Sequence, residues 1–344
     1  GDILGQAVSS AGDVNGDGFD DVIVGAPTAD PLGTDSGAAY VVFGARTGFA
    51  SSLNVSSLDG TNGFRVSGAF TGDRIAISVS SAGDVNGDGF SDVIIGAPYA
   101  DRNFLTDNGV AFVVLGKASG WTANTIVSNL VGSNGFTVIG AATDDRAGFS
   151  VGGADLNADG RSDIVLGAPF ADPSGRVDAG RVYTYYGTAS FSSVINLSSI
   201  NGTNGEVHNG AVAGDRAGTS VGTTDFNGDG LNDILVGAPF SDPSSTTDAG
   251  RAYLVYGSPL SSIPPAFRGT TANNVITGTS GSDSMFGGSG NDNITGGGGA
   301  DVILAGQGDD VISINDLSFQ VIDGGLGNDT LNILGVGLDL NLAT

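Results

Sequence analysis

Asp13, Asn15, Asp17 and Asp21 place oxygen-bearing side chains at positions 1, 3, 5 and 9 of a nine-residue stretch, with Gly16 and Gly18 at positions 4 and 6. Alternate spacing in a tight turn brings such side chains around one point, and glycine supplies the positive φ angles the turn needs. Carboxylates gathered there repel one another unless a hard cation neutralises them. Oxygen-only ligation in a short, flexible loop suits Ca²⁺ better than Mg²⁺ or a transition metal. The arrangement returns at intervals of about 70 residues in Asp84, Asn86, Asp88 and Asp92, then in Asp155, Asn157, Asp159 and Asp163, and again in Asp225, Asn227, Asp229 and Asp233. Polar turns between strands account for Gly, Asn and Asp as residue types. They do not account for Asp at positions 1, 5 and 9 of every copy.

The opening of each loop is like that of an EF-hand, which closes on a bidentate Glu at position 12. Position 12 of the first copy is Val24, inside an apolar run. Asp21 takes the closing role instead, which shortens the loop to fit between two β-strands. The composition agrees with ligand-building: the formal net charge is −25, Glu206 is the sole glutamate among 37 acidic residues, and Lys117 is the sole lysine. A surface made acidic only for solubility would mix Glu and Lys, whereas the short Asp carboxylate reaches an ion close to its own turn. Nucleic acid and anionic membrane are poor partners for such a chain unless metal bridges them. With no cysteine, disulfides and thiolate metal sites are excluded. No apolar run approaches the roughly 20 residues of a membrane span, and no signal peptide is visible. The chain opens at Gly1, partway through a repeat, and reads as a mature product or a fragment.

With 60 glycines and an aliphatic set of mostly Val, Ile, Leu and Ala, the chain favours many short strands joined by tight turns. Each loop leads into an apolar run that ends in Gly-Ala-Pro, as in Val22-Ile23-Val24 before Gly25-Ala26-Pro27 and Val93-Ile94-Ile95 before Gly96-Ala97-Pro98. Short β-branched runs of this kind read as strands buried on both faces and stopped by proline. A second strand closes on an aromatic or Leu plus Gly, such as Tyr40-Val41-Val42-Phe43-Gly44 or Phe112-Val113-Val114-Leu115-Gly116. A third strand, such as Phe64–Gly68, precedes a Gly/Ala-rich fourth that enters the next loop. Four strands per period describe one propeller blade per repeat. The Phe-Gly ending and the Gly-Ala-Pro run, with the Asp-rich loop before it, resemble the FG-GAP repeats of integrin α-subunit β-propellers over residues 1–257. The resemblance implies Ca²⁺ in hairpin loops on one face of a propeller. It adds main-chain carbonyl ligands at position 7 (Phe19, Phe90, Arg161 and Leu231) to the side chains named above. Such propellers usually have seven blades, so four repeats imply further blades elsewhere or a smaller arc. Ala158 stands where the other loops have glycine, which sets the third site apart.

Residues 258–268 hold three of the ten prolines and read as a stiff linker. From Gly269 the period drops to nine residues, seen best in Gly287–Thr295 and Gly296–Leu304, with further copies at Gly278–Phe286, from Ala305 and at Gly324–Asn332. This nonapeptide resembles that of RTX proteins. It implies a parallel β-roll over 269–344 in which Asp283, Asp292, Asp301, Asp310 and Asp329 hold Ca²⁺ between stacked turns. It also implies type I export and folding on meeting extracellular Ca²⁺, which suits an Asp-rich chain that cannot collapse against its own charge. No C-terminal secretion signal of that family is recognisable in Leu338–Thr344.

Two Gly-x-Ser-x-Gly matches, around Ser150 and Ser220, resemble a nucleophile elbow in sequence. They sit at the repeat period just ahead of a metal loop, with Ser78 at the same place in another copy, so they read as scaffold. His208, the sole histidine, has no nucleophile or metal constellation beside it and reads as an ordinary strand residue. The recurring Asp73-Arg74, Asp145-Arg146 and Asp215-Arg216 read as turn contacts. The expected protein is an all-β, Ca²⁺-dependent structural or adhesive chain without catalysis, extracellular or on a cell surface. Its partner would be a protein or glycan on a cell surface or matrix, or further copies of itself. A lectin-like glycan-binding module and an accessory region of a larger secreted hydrolase are the alternatives.

Overall fold

The computed structural model describes residues 1–334 except 47, 49, 229, 244–246, 258–266, 271, 320 and 326. Most of the expected linker, the expected ligand Asp229 and the stretch Leu338–Thr344 therefore lie outside the described residues. Two compact units emerge. One comprises Gly1–Ala154, Arg161–Thr223 and Leu235–Leu254; the other comprises Asp155–Gly160, Thr224–Ile234 and the described residues from Val255 onward.

The first unit is built from antiparallel sheets. The first sheet runs β1 (Val8–Gly12), β2 (Asp21–Ala26), β3 (Ala38–Val42) and β4 (Gly63–Ser67). The second runs β5 (Ser78–Gly83), β6 (Asp92–Ala97), β7 (Val110–Val114) and, after the short β8 (Asn124–Ile126), β9 (Gly135–Ile139). The third is β10 (Ser150–Ala154), β11 (Asp163–Ala168), β12 (Arg181–Tyr185) and, after β13 (Val194–Asn196), β14 (Gly205–Asn209). The fourth has β15 (Ser220–Thr224), β16 (Asp233–Ala238) and β17 (Arg251–Val255) among the described residues. These are blade-like sheets, as the repeats predict, but the sheets divide the period at a different point. The Gly/Ala-rich strand entering each loop heads the sheet that follows it, because it pairs with the run ending in Gly-Ala-Pro, as Val79 does with Ile95.

Alternation along the strands explains why the apolar runs are continuous. Val93 and Ile95 of β6 pack with Ile23, Val41 and Phe64 of the first sheet, whereas Ile94 between them packs with Ile164, Leu166 and Tyr183 of the third. Each such side chain removed from water contributes roughly 1.5–3 kcal/mol. The first sheet is the exception. Val22 is 47% exposed where Val93, its counterpart, is 0%, since among the described residues no sheet covers that side of β2. Glycine of Gly-Ala-Pro is explained by approach distance: a Cβ on Gly96 would run into the carbonyl oxygen of Gly148.

Two short strands were not anticipated. β8 and β13 leave their own repeats and pair in parallel with β4 and β9 of the preceding sheets. Trp121, ahead of β8, stacks on Phe64 with centroids 4.3 Å apart, and Phe191, ahead of β13, stacks on Phe136 at 4.1 Å. Among the described residues, the second and third repeats thus each clasp the one before with an edge strand and an aromatic ring.

In the second unit the nonapeptides form a parallel β-solenoid. Its strands are β18 (Val275–Thr277), β19 (Ser284–Ser289), β20 (Asn293–Thr295), β21 (Val302–Gln307), β22 (Val311–Ile314), β23 (Val321–Asp323) and β24 (Thr330–Ile333). Alternate strands join opposite sheets, β18–β20–β22–β24 and β19–β21–β23, so two nonapeptides make one turn of the coil. Partners are 18 residues apart, as in Ile276 with Ile294, until the insertion before β23 stretches the offset to 19, as in Ile303 with Ile322. Met285, Ile294, Ile303 and Ile312 fill the interior.

Candidate metal centres

The four aspartate loops connect the first two strands of each sheet, and their backbone is wound as the spacing requires. In the first, Asp13 accepts from the amides of Gly16 (2.7 Å), Asp17 (3.1 Å) and Gly18 (2.8 Å). Asn15 Oδ1 accepts from Asp17 N, and Asn15 Nδ2 donates to Asp17 Oδ2 at 3.0 Å. The second loop repeats this bond for bond: Asp84 accepts from Gly87, Asp88 and Gly89, and Asn86 donates to Asp88 at 2.9 Å. In the third, Asp155 accepts from Ala158 and Gly160, and in the fourth Asp225 accepts from Gly228 and Gly230. Loop glycines 16, 87 and 228 all have positive φ, between 72° and 75°.

The closing aspartates lie deepest. Asp21 Oδ1 accepts from Gly44 N at 2.7 Å and Oδ2 from Val14 N at 2.9 Å. Asp92 does the same with Gly116 and Val85, Asp233 with Gly257 and Phe226, and Asp163 accepts from Gly187. The glycine of each Phe-Gly-type ending is therefore wired to the loop. Both motifs are visible in the sequence but the bond between them is not, although their separation of 23 or 24 residues is a signal for it.

Burial, the largest influence, pushes the Asp21 carboxyl up to about 6; the two amides oppose it, and the Asp17 and Asp13 charges push it further. Asp92 is pushed up to about 8 by the same combination, with Asp84 and Asp88 as the repelling neighbours. Asp155 rises to about 6 through burial and then the Asp159 charge. Negative potential thus accumulates at the first three loops, and a bound cation relieves that penalty. Among the described residues no three side chains of the His, Cys, Asp and Glu types stand close enough to hold an ion by themselves. The loop donor sets are mixed, with one Asn amide oxygen among the carboxylates. The oxygen chemistry fits a hard cation.

In the coil the aspartates form a ladder. Asp301 Oδ1 accepts the amide of Asp283, Asp310 that of Asp292, Asp329 that of Asp310, and Asp292 that of Asn274. Asp292, Asp301 and Asp310 are buried, and burial raises the carboxyl of each above the usual range. The Oδ2 atoms of Asp292 and Asp310 are buried without a hydrogen-bond partner. An orphaned carboxylate oxygen inside a fold is costly unless a cation faces it, so these residues fit Ca²⁺.

The remaining motifs belong to the scaffold. Ser78 and Ser150 donate their hydroxyls to the carbonyls of Gly148 and Gly218, each at 2.8 Å, tying one sheet to the next. Arg74, Arg146 and Arg216 reach Asp35, Asp107 and Asp178 at 2.6, 3.4 and 3.0 Å, which are contacts between turns. His208 lies in β14 opposite Val182, 3.5 Å from Glu206, and burial lowers its pKa.

Blade-like sheets with aspartate hairpins, followed by a nonapeptide solenoid, define the class as an aspartate-loop β-repeat protein. Residues 4–42, 76–114, 147–185 and 217–255 match the FG-GAP repeat family, and residues 268–303, 277–312 and 321–332 match the RTX calcium-binding nonapeptide repeat. The chain carries four FG-GAP repeats and RTX calcium-binding repeats, and repeats of both kinds generally bind calcium. It is similar to phosphatidylinositol-glycan-specific phospholipase D of Rattus norvegicus, with 40% identity over 33% of this chain and 13% of that protein. It is similar to integrin alpha-PS2 of Drosophila melanogaster, with 31% identity over 37% of this chain and 9% of the integrin. Integrin alpha pat-2 of Caenorhabditis elegans matches 69% of this chain at 29% identity. The chain spans 18% of that integrin, so it corresponds to a minor part of each relative. Among the described residues no helix is long and apolar enough to cross a membrane.

Proposed function

We propose that this is a calcium-dependent structural and adhesive protein, extracellular or surface-borne and exported by a type I system. The observation that carries the reading is the fourfold recurrence of one oxygen-donor loop, each loop closing on an aspartate held by backbone amides. Asp13, Asn15, Asp17, Asp21 and the Phe19 carbonyl, with their counterparts in the other loops, would hold one ion per loop. Asp283, Asp292, Asp301, Asp310 and Asp329 would hold ions between coil turns. Calcium supplies positive charge that lets these carboxylates stay ionised inside the fold. The chain's own part is rigidity: sheets clasped edge to edge present fixed loops to a protein partner, as the integrin-like repeats suggest, and no catalytic role is assigned. The test is calorimetric titration with Ca²⁺ alongside melting in Ca²⁺ and in chelator. Expected are several binding events and a large rise in melting temperature; identical melts would refute the reading.

The phospholipase similarity favours a second reading, in which this region is the accessory part of a larger secreted hydrolase. Sequencing the complete reading frame decides it, since a hydrolase domain in the same frame would establish that context.

A further inference from the structure

The solenoid has two unlike outer faces. Strand positions flanking its interior aliphatics point outward, and on the β18–β20–β22–β24 sheet these include Asn293, Thr295, Thr330 and Asn332. On the β19–β21–β23 sheet they include Phe286, Val302, Leu304 and Val321 beside Ser284 and Asp323, and Val302 and Leu304 are buried. Their cover comes from aspartate loops within the same compact unit: Ala158 of the third loop and Leu231 of the fourth form one apolar cluster with them.

Three details mark this as a built seat. Leu231 occupies position 7 of its loop and is 2% exposed, whereas Phe19 at the same position of the first loop is 39% exposed. Ala158 holds the left-handed conformation at φ 61°, where the other loops use glycine. A Cβ in that region is strained, and here the methyl is buried against the coil. Finally, Gln307 of β21 donates its side-chain amide to the main-chain carbonyl of Asn227, a predicted ligand of the fourth loop.

We propose that the third and fourth aspartate loops and the RTX coil form one calcium-coupled unit, in which ion binding by the coil stabilises the loop tips seated on it. The inference rests on the calcium reading above but goes beyond it, because the two repeat types could bind ions independently. Coupling is reciprocal by thermodynamic necessity, so loop occupancy tightens the coil by the same factor.

The experiment is hydrogen exchange by mass spectrometry on the full chain across a calcium titration, following peptides over 224–234, 302–314 and 84–92. Two variants are compared with the parent: Asp310→Ala, which removes a coil carboxylate outside the seat, and Leu304→Ser, which weakens the seat and leaves the ladder in place. In both, the calcium concentration that half-protects 224–234 should rise at least fivefold, the lower end of ordinary coupling. That for 84–92 should stay put. Leu304→Ser should keep protection at 310–314. An unchanged midpoint at 224–234 in Leu304→Ser, or in Asp310→Ala with 302–314 exposed, overturns the coupling and leaves the calcium reading intact. Absence of any calcium-dependent protection in the parent overturns both.

Discussion

Asp92→Asn tests whether the buried closing aspartates exist to meet a cation. Asp92 is fully buried, and both its oxygens accept main-chain amides, from Gly116 at 2.7 Å and Val85 at 2.9 Å. With its carboxyl pushed from 3.8 to about 8, the metal-free folded chain binds a proton there more tightly than the unfolded chain. The stability tied to this group is fully present below pH 3.8 and is lost as pH rises towards 8, about 4 kcal/mol of it by pH 7. A bound cation reverses the preference by favouring the ionised form. Asparagine removes the titration and keeps one acceptor, so in chelator at pH 7 the net change should stay within about 2 kcal/mol. In calcium at 100 times the dissociation constant, the parent gains about 2.7 kcal/mol from this site and the variant does not. Urea unfolding and exchange of the Val85 and Gly116 amides, each with calcium and with chelator at pH 5 and 7.5, give the comparison. An equal deficit in calcium and in chelator would refute the reasoning, as would a metal-free pH dependence that the substitution leaves untouched.

Three further outcomes follow from the packing. Gly96→Ala drives a methyl into the Gly148 carbonyl and should cost roughly 2–3 kcal/mol by overpacking, read as a lower urea midpoint. Trp121→Ala removes the ring stacked on Phe64 and should cost roughly 2–4 kcal/mol, with exchange protection lost first at Asn124–Ile126. Arg102 reaches the buried Asp73 at 2.5 Å, so Arg102→Leu should destabilise by about 3–5 kcal/mol. Adding Asp73→Asn should restore much of that loss; a double variant no better than the single would show that the ion pair is not the cause.

Much of this fold is readable from residue order because the repeats impose local rules. The Gly-Ala-Pro runs, the second strands and the loops all appear where period and composition place them, and the coil strands follow the nonapeptide. What escaped reading depends on contacts between repeats. β8 and β13 are three-residue strands whose partners lie in the preceding sheet, so no periodicity within their own segment reveals them. The bond from Gly116 to Asp92 joins two motifs 24 residues apart, and only sheet register brings them together. In sequence Ala158 only sets the third loop apart from the others, but its methyl is a contact surface, which becomes visible only when Leu304 lies opposite. The individual loop ligands were legible as chemistry; their depth, with Asp92 far below Asp13, came from the strands beneath.

The aspartate ladder gives the coil a direction. The Asp301 side chain takes the amide of Asp283, that of Asp310 the amide of Asp292 and that of Asp329 the amide of Asp310, so each turn is finished by residues lying 18 or 19 positions later in the chain. A rung therefore cannot close until the chain beyond it has arrived, and erosion from the C-terminal side undoes one rung at a time. Stepwise shortening from that side should weaken such a stack in increments, like a zip opening from its slider end, rather than all at once.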